Sequence, residues 1–423
     1  MRTKKPMTQQ IKRQSLGKNM LFNSVGSLFY LVCQWLISVL SVRLASYEVC
    51  GVLTLAISIT NFFYVIATFS LRVFQVSDTA NKYPAGRYLS TRILTCLVGA
   101  GGCALFMLVN QQYTQNQRLC IIMYMVFKLS EALVDTLAAE QQKAWRMDYS
   151  CYSFLMRGAA TLVIFIVTML LWHDLLLTLT LMAAAAMLIV LVYDVPMTLR
   201  LVPLQVDLSC KRCTPLLREA WPMMLNGALM VLLASIPRYL LEMYEGSSTL
   251  GIYSSIAMPA VIIQTGSSFI YSPLVAPLSE QWTAGDLQGF RKNVFKTLGA
   301  ILLMAAVVIL GGAILGDWGL QLIYGESIAD YTWQLPIVLL STLSLALLYF
   351  FEVPLTIMRR LRIMSVLHGV GVLLVILASM ILIPKMGMIG VSVSMIIAAG
   401  ADAIAMGVTT YVLTGRLIRQ AQK

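Results

Sequence analysis

A chain of 423 residues that is 59% hydrophobic and only 12% charged holds about half the charge of an ordinary soluble domain, and its mean hydropathy is +0.79. Long apolar runs at 19–42, 51–71, 93–109, 159–172 and 175–193 exclude a soluble globular class and fit helices that cross a bilayer. The net charge of +12 has no basic domain to gather it, so it excludes a nucleic-acid partner and fits loops that set membrane orientation.

The basic start "MRTKKPMTQQIKRQSLGK" leads into a long apolar segment without a small-residue cleavage site, and reads as a cytoplasmic tail, not a signal peptide. Cutting at polar clusters predicts twelve helices, at 19–43, 50–76, 89–110, 117–139, 153–172, 175–197, 219–241, 250–279, 294–316, 331–357, 362–383 and 388–413. The expected fold is therefore all-α and polytopic, with both termini cytoplasmic. Basic residues agree with it: all but five fall in the segments this topology puts inside. Arg43, Arg118, Arg238 and Lys385 lie outside, and Lys128 lies within a helix.

Arg72 lies near the inner end of predicted helix 2 and serves either topology or substrate. The stretch "FKLSEALVDTLAAEQQ" (127–142), which runs through the end of predicted helix 4, carries Lys128, Glu131 and Asp135. At about 100° per residue all three share one helix face. Each charge near mid-membrane costs about 2.5–3.5 kcal/mol on the insertion scale, so this face should look into the bundle or a wet cavity. Two readings stay open and are compatible: an i,i+3 Lys128–Glu131 staple, or a cavity lining for substrate and coupling ion.

The segment 200–222 holds three prolines and divides the chain nearly in half. It sets the expected domains: tail 1–18, six-helix lobe 19–199, linker 200–218, six-helix lobe 219–414, tail 415–423. Six helices per lobe restore the same orientation, as in parallel transporter repeats. A weak echo joins "ASYEVCGVLTLA" (45–56) to "EGSSTLGIYSSIA" (245–257), placing Gly51 and Gly251 200 residues apart. Helices 1–5 lack internal proline, whereas Pro259 and Pro273 lie deep in helix 8, where the freed backbone makes them candidate hinges. Arg238 beside Glu242, like Arg43, either snorkels outward or binds substrate. Asp402 in "AAGADAIAMG" is open to two roles, a proton or sodium site or a buried partner of a basic residue. His368 reads as a packed polar residue and Glu352 as an interfacial charge. Cys210-Lys-Arg-Cys213 has no second ligand pair, so no metal is expected.

The stretch "FKLSEALVDTLAAEQQKAWRMDYSCYSFLMRGAATL" (127–162) resembles the bacterial polysaccharide-transporter flippases, the O-antigen and capsule exporters. The resemblance rests on Lys128, Glu131, Asp135, Gln141, Met147, Asp148, Ser153, Arg157 and Gly158, together with "LRVFQVSD" at 71–78. One departure is that Ala138 and Ala139 stand where a Gly is common. The resemblance implies membership of the multidrug/oligosaccharidyl-lipid/polysaccharide flippase superfamily, residence in the bacterial cell membrane and a polyprenyl-diphosphate-linked oligosaccharide as substrate. Lys128, Arg43, Arg238 and Arg72 are the basic groups to hold its diphosphate, with Glu131, Asp135 and Asp402 as cavity or ion-coupling carboxylates. No cofactor is expected, coupling to a proton or sodium gradient is compatible with these residues, and polymerase machinery is the natural partner of a monomeric unit. Three rivals remain: an organic-cation exporter of the same superfamily, a major-facilitator carrier, and a membrane polymerase or ligase. Lys128 speaks against the first, the loop "QVSDTANKYPAGRY" against the second, and short outer loops against the third.

Overall fold

The computed structural model describes residues 14–78 and 82–421, all helices and connecting turns. In chain order these are α1 (Leu16–Arg43), α2 (Tyr47–Thr68), α3 (Leu71–Ser77), α4 (Ala85–Val109), α5 (Gln115–Lys143), α6 (Met147–Leu171), α7 (Leu175–Ile189), α8 (Val195–Leu199), α9 (Cys210–Ala257), α10 (Val261–Tyr271), α11 (Val275–Thr283), α12 (Leu287–Tyr324), α13 (Leu335–Ile357), α14 (Leu361–Met386) and α15 (Met388–Ala421). The chain is a polytopic all-α membrane protein.

Ten helical stretches among the described residues are long and apolar enough to cross a membrane. That figure differs from the expected twelve for two physical reasons. Predicted helix 4, which is α5, is not among the ten: its own charges and polar residues lower its hydropathy. Predicted helices 7 and 8 fall in one stretch, Cys210–Leu274, although the backbone breaks at Gly246 (φ 84°) inside α9, a conformation that only glycine adopts freely.

Local chemistry fixes the helix ends. Thr114 and Gln117 form a reciprocal capping box at the start of α5. Asp174 accepts from Leu176 and Leu177 at the start of α7, and Asp286 accepts from Gly289 at α12. Pro259 and Pro273 each sit in a short 3₁₀ turn, Met258–Ala260 and Ser272–Leu274, that interrupts predicted helix 8. Both turns follow from the amide hydrogen that proline lacks.

The chain divides into two compact units. The first comprises residues 1–40 and 59–224, and the second 41–58 and 225–423. In the first, α5 packs against α4 and α7, with α6 also against α7. Ala132, Ala138 and Ala139 of α5 are fully buried, so the alanines at the family's Gly position supply the small surface that close packing needs. In the second, α15 packs against both α13 and α14, with Ala398, Ala399 and Met406 buried.

The Gly51/Gly251 echo has a structural counterpart within the second unit. A Cβ on Gly51 would lie 1.7 Å from the Ser247 carbonyl oxygen, and one on Gly251 would lie 1.8 Å from that of Tyr47. Tyr47 and Ser247 are themselves 200 residues apart. The contact is thus reciprocal under the repeat offset, as an isologous interface requires, and only glycine lets the two backbones approach so closely.

Candidate functional site

The charges of α5 converge with those of α3, α4 and α6 in the first unit. Lys128 Nζ lies 2.8 Å from Glu131 Oε2, one turn along the helix. Glu131 also accepts the Tyr30 hydroxyl from α1. The Lys128 ammonium sits 5.2 Å from the Tyr64 ring centre and 5.8 Å from that of Tyr124, where ring quadrupoles stabilise a cation. The staple reading of this pair is therefore present in the geometry.

Asp135 holds two arginines. Arg72 Nη1 reaches Oδ1 at 2.9 Å and Arg92 Nη2 reaches Oδ2 at 2.8 Å. Arg92 is completely buried. It completes its fork with the Thr136 hydroxyl at 2.5 Å and the Ala67 carbonyl at 3.1 Å. Arg72 is about a third exposed (35%) and also donates to Gln142 at 3.1 Å. A buried arginine with each edge occupied is a fixed cation. A partly exposed one sharing the same carboxylate can leave it.

A cavity of about 180 Å³ opens among these groups, lined by Tyr30, Tyr64, Arg72, Glu131, Asp135 and Arg157 with two apolar neighbours. Its volume is about six waters' share of the liquid, enough for a small charged group and too small for an oligosaccharide. Arg157 of α6 is 1% exposed, and its Nη2 donates to Ser130 Oγ at 2.8 Å. Its Nη1 has no hydrogen-bond partner among the described residues. Four cations, Arg72, Arg92, Lys128 and Arg157, thus face two carboxylates, Glu131 and Asp135. A third carboxylate, Asp194, is buried outside the cavity lining, and its field reaches Arg157. The cluster keeps a surplus of at least one positive charge.

Around this centre the motif residues have structural partners. Gln141 accepts from Ser150 at 2.6 Å and donates to Thr198 at 3.0 Å. Asp148 is gripped at both oxygens by Arg146. Gln75 bridges the Thr136 carbonyl and Glu140. A Cβ on Gly158 would press within 3.2 Å of Phe29 and Cys33, so this glycine lets α1 and α6 close beside Arg157. Outside the membrane spans, Asp78 accepts from the Lys82 and Tyr83 amides and the Tyr88 hydroxyl. Partial burial works against its charge, but these three donors outweigh it and hold the carboxyl below its ordinary range.

The structure brings Lys128, Glu131, Asp135 and Arg72 into one cluster. Arg43, Arg238 and Asp402 belong to the second unit. There Arg43 donates to the carbonyls of Leu322, at 2.8 Å, and Ile323, capping the end of α12. Arg238 is half-buried, and its field reaches Tyr253 and Tyr349. Asp402 pairs with His368. Glu352, expected as an interfacial charge, also bonds His368.

Sequence reasoning missed Arg92 altogether and used Arg157 only as a mark of the family resemblance, counting both among loop and helix-end charges. The predicted helices began at 89 and 153, whereas α4 starts at Ala85 and α6 at Met147. Those late starts placed both arginines near the interface. Two to three turns inside a helix, they are core cations.

The sequence model of the family described as "Polysaccharide biosynthesis protein" matches residues 16–281. No curated protein matches the chain. Among solved structures the chain resembles lipid II flippase MurJ in an inward closed conformation, with a TM-score of 0.68 at 12% identity, covering 93% of this chain and 91% of that one. It also resembles an inward-facing multidrug resistance MATE transporter of the MOP superfamily (TM-score 0.60, 12% identity, 97% of each chain). A third likeness is to a MOP superfamily transporter from Pyrococcus furiosus, described as having a binding pocket of reversed polarity (TM-score 0.60, 12% identity, 96% of this chain and 97% of that one). At these identities the likeness shows a shared fold and nothing beyond it.

Proposed function

The chain belongs to the polysaccharide biosynthesis protein family, and from that premise we propose that it is a flippase for an oligosaccharide joined to a polyprenyl lipid through a diphosphate. The observation that carries the reading is the cationic surplus of the cluster around the cavity, with the buried Nη1 of Arg157 left without a partner among the described residues. A diphosphate cannot enter hydrocarbon bare, because stripping its water costs many kcal/mol unless charge-assisted hydrogen bonds replace it. Arg157 offers a free donor, and Arg72 can turn from Asp135 toward the phosphate without leaving that carboxylate alone, since Arg92 remains. Glu131 and Asp135 keep the cations paired in the empty site, which spares the protein an uncompensated buried charge. Sugar and polyprenyl chain stay outside this cavity, which has no room for them. An organic cation would meet like charge here, which disfavours the drug-exporter alternative.

The test is equilibrium binding of radiolabelled undecaprenyl diphosphate and of uncharged undecaprenol to the detergent-purified protein. The diphosphate lipid should bind at least tenfold tighter. One charge-assisted bond is worth about 1.5–3 kcal/mol, so Arg157→Gln should weaken its binding roughly ten- to a hundredfold and leave undecaprenol unchanged. Equal binding of both lipids by the wild type refutes the reading.

A further inference from the structure

The second unit contains a group of titratable side chains that the proposed headgroup site does not use. His368 of α14 is completely buried. Its Nδ1 lies 2.8 Å from Asp402 Oδ2 of α15, and its Nε2 lies 3.0 Å from Glu352 Oε1 of α13. Asp402 is also fully buried, whereas Glu352 is 24% exposed. Three separate helices thus place two carboxylates on the two ring nitrogens of one imidazole.

Proton counting constrains what this arrangement can be. Each nitrogen–oxygen contact at this distance needs one hydrogen between the atoms, because two facing lone pairs repel. A neutral imidazole supplies one hydrogen and a carboxylate supplies none. The triad as seen therefore holds one proton more than a neutral histidine with two ionised acids. It is either imidazolium between carboxylates or neutral imidazole with one carboxylic acid. In both forms its net charge is −1. Loss of that proton to water takes the charge to −2 and breaks one of the two bonds.

The surroundings make the second negative charge expensive. Asp402 Oδ1 is buried without a hydrogen-bond partner among the described residues, so that carboxylate is only half satisfied. The flanking residues on α9 are uncharged: Leu233 lies against Gly371 one turn along, and Asn226 accepts from Ser365 one turn before. Tyr271 and Tyr349 lie within the field of Glu352. Arg238, whose field reaches Tyr349, makes no ion pair with the triad among the described residues. With no Lys or Arg paired to Glu352 or Asp402 among the described residues, the unloaded triad must rearrange. Glu352, the one member with solvent access, is the group free to leave.

We propose that His368, Asp402 and Glu352 form a one-proton binding site that is captured here in its loaded state and exchanges with water through Glu352. Loading draws α13, α14 and α15 together through two bonds, and unloading frees α13 from α14. On the flippase reading above, this is where a proton gradient would act on the transport cycle.

The chain has only two histidines, and the other, His173, is exposed. In a His173→Gln background, ¹⁵N-histidine NMR of the purified protein therefore observes His368 alone. The two ring-nitrogen signals should shift together in a single one-proton step as pH is raised from 5 to 10. Glu352→Gln should abolish that step and keep both bonds. A glutamine amide can donate to Nε2 while Nδ1–H donates to Asp402, so the variant forms the pair without the extra proton. The variant is also a control for folding, since His368 stays hydrogen-bonded at both nitrogens. The inference is overturned if the wild type shows no step, or if Glu352→Gln shows the same one. In proteoliposomes, an imposed pH gradient should raise the rate at which the wild type flips a fluorescent polyprenyl-diphosphate oligosaccharide, and Glu352→Gln should lose that stimulation. If the NMR step is present but the wild type flips no such lipid, the proton site stands and the flippase reading falls.

Discussion

Replacing Asp135 by alanine should unfold the first unit more readily than any surface change, and the structure sets how much. Asp135 is the only carboxylate paired with Arg92 among the described residues, and Arg92 is wholly buried. Removing one partner of a buried pair costs about 3–5 kcal/mol, because the other charge is left without compensation. Thr136 and Ala67 still accept hydrogen bonds from Arg92, but neither carries charge. Arg72 is 35% exposed, so its loss from the same carboxylate adds no more than about 1 kcal/mol. The total is about 4 kcal/mol, close to a thousandfold in the folding equilibrium. The assay follows from the cysteines: seven of the eight are buried and Cys210 is exposed. In a Cys210→Ser background, a thiol-reactive dye reports unfolding in detergent. Arg92→Met with Asp135→Leu removes both charges and should recover most of the loss, since an apolar replacement of a whole pair is often neutral or better. A cost below 1 kcal/mol for Asp135→Ala, or a double variant as unstable as the sum of its parts, would refute the argument.

Other predictions follow from single contacts. Gly51→Ala should destabilise by about 1–3 kcal/mol, because its Cβ meets the Ser247 backbone. Gly101→Ala, with nothing within 4 Å, should instead stabilise α4 by roughly 0.5–1 kcal/mol; thermal unfolding of the two variants compares them directly. Asp78 has a folded pKa below its ordinary value. Its contribution to stability is therefore full above the ordinary aspartate range and is lost as pH falls through the lowered folded value. Asp78→Asn should show a smaller loss of melting temperature than the wild type between pH 5 and 3.

Much of this was legible in the sequence because the bilayer restricts what a chain can do. Hydropathy located the membrane class, and the spacing of Lys128, Glu131 and Asp135 placed them on one face of a helix. That face does hold an ion pair and line a cavity. The Gly51/Gly251 echo, weak as a pattern, marked a backbone crossing. What the sequence hid was depth and partnership. Arg92 and Arg157 looked like helix-end charges because a helix boundary is soft by about a turn, and one turn separates an interfacial arginine from a buried one. His368, Glu352 and Asp402 come from three helices with no common spacing, so only tertiary packing assembles them. Arg43 looked like a substrate group because an outer arginine is rare, yet its fork caps two carbonyls 280 residues away.

The central claim is that a cationic cavity built on α5 carries a diphosphate headgroup across the membrane. Its most direct test is flipping of a fluorescent polyprenyl-diphosphate oligosaccharide by the purified protein in liposomes, wild type beside Arg157→Gln. The account predicts that the wild type moves the lipid, and that the variant folds but moves it at least tenfold more slowly. A well-folded wild type that leaves every diphosphate-linked lipid in place and moves an organic cation such as ethidium would contradict it.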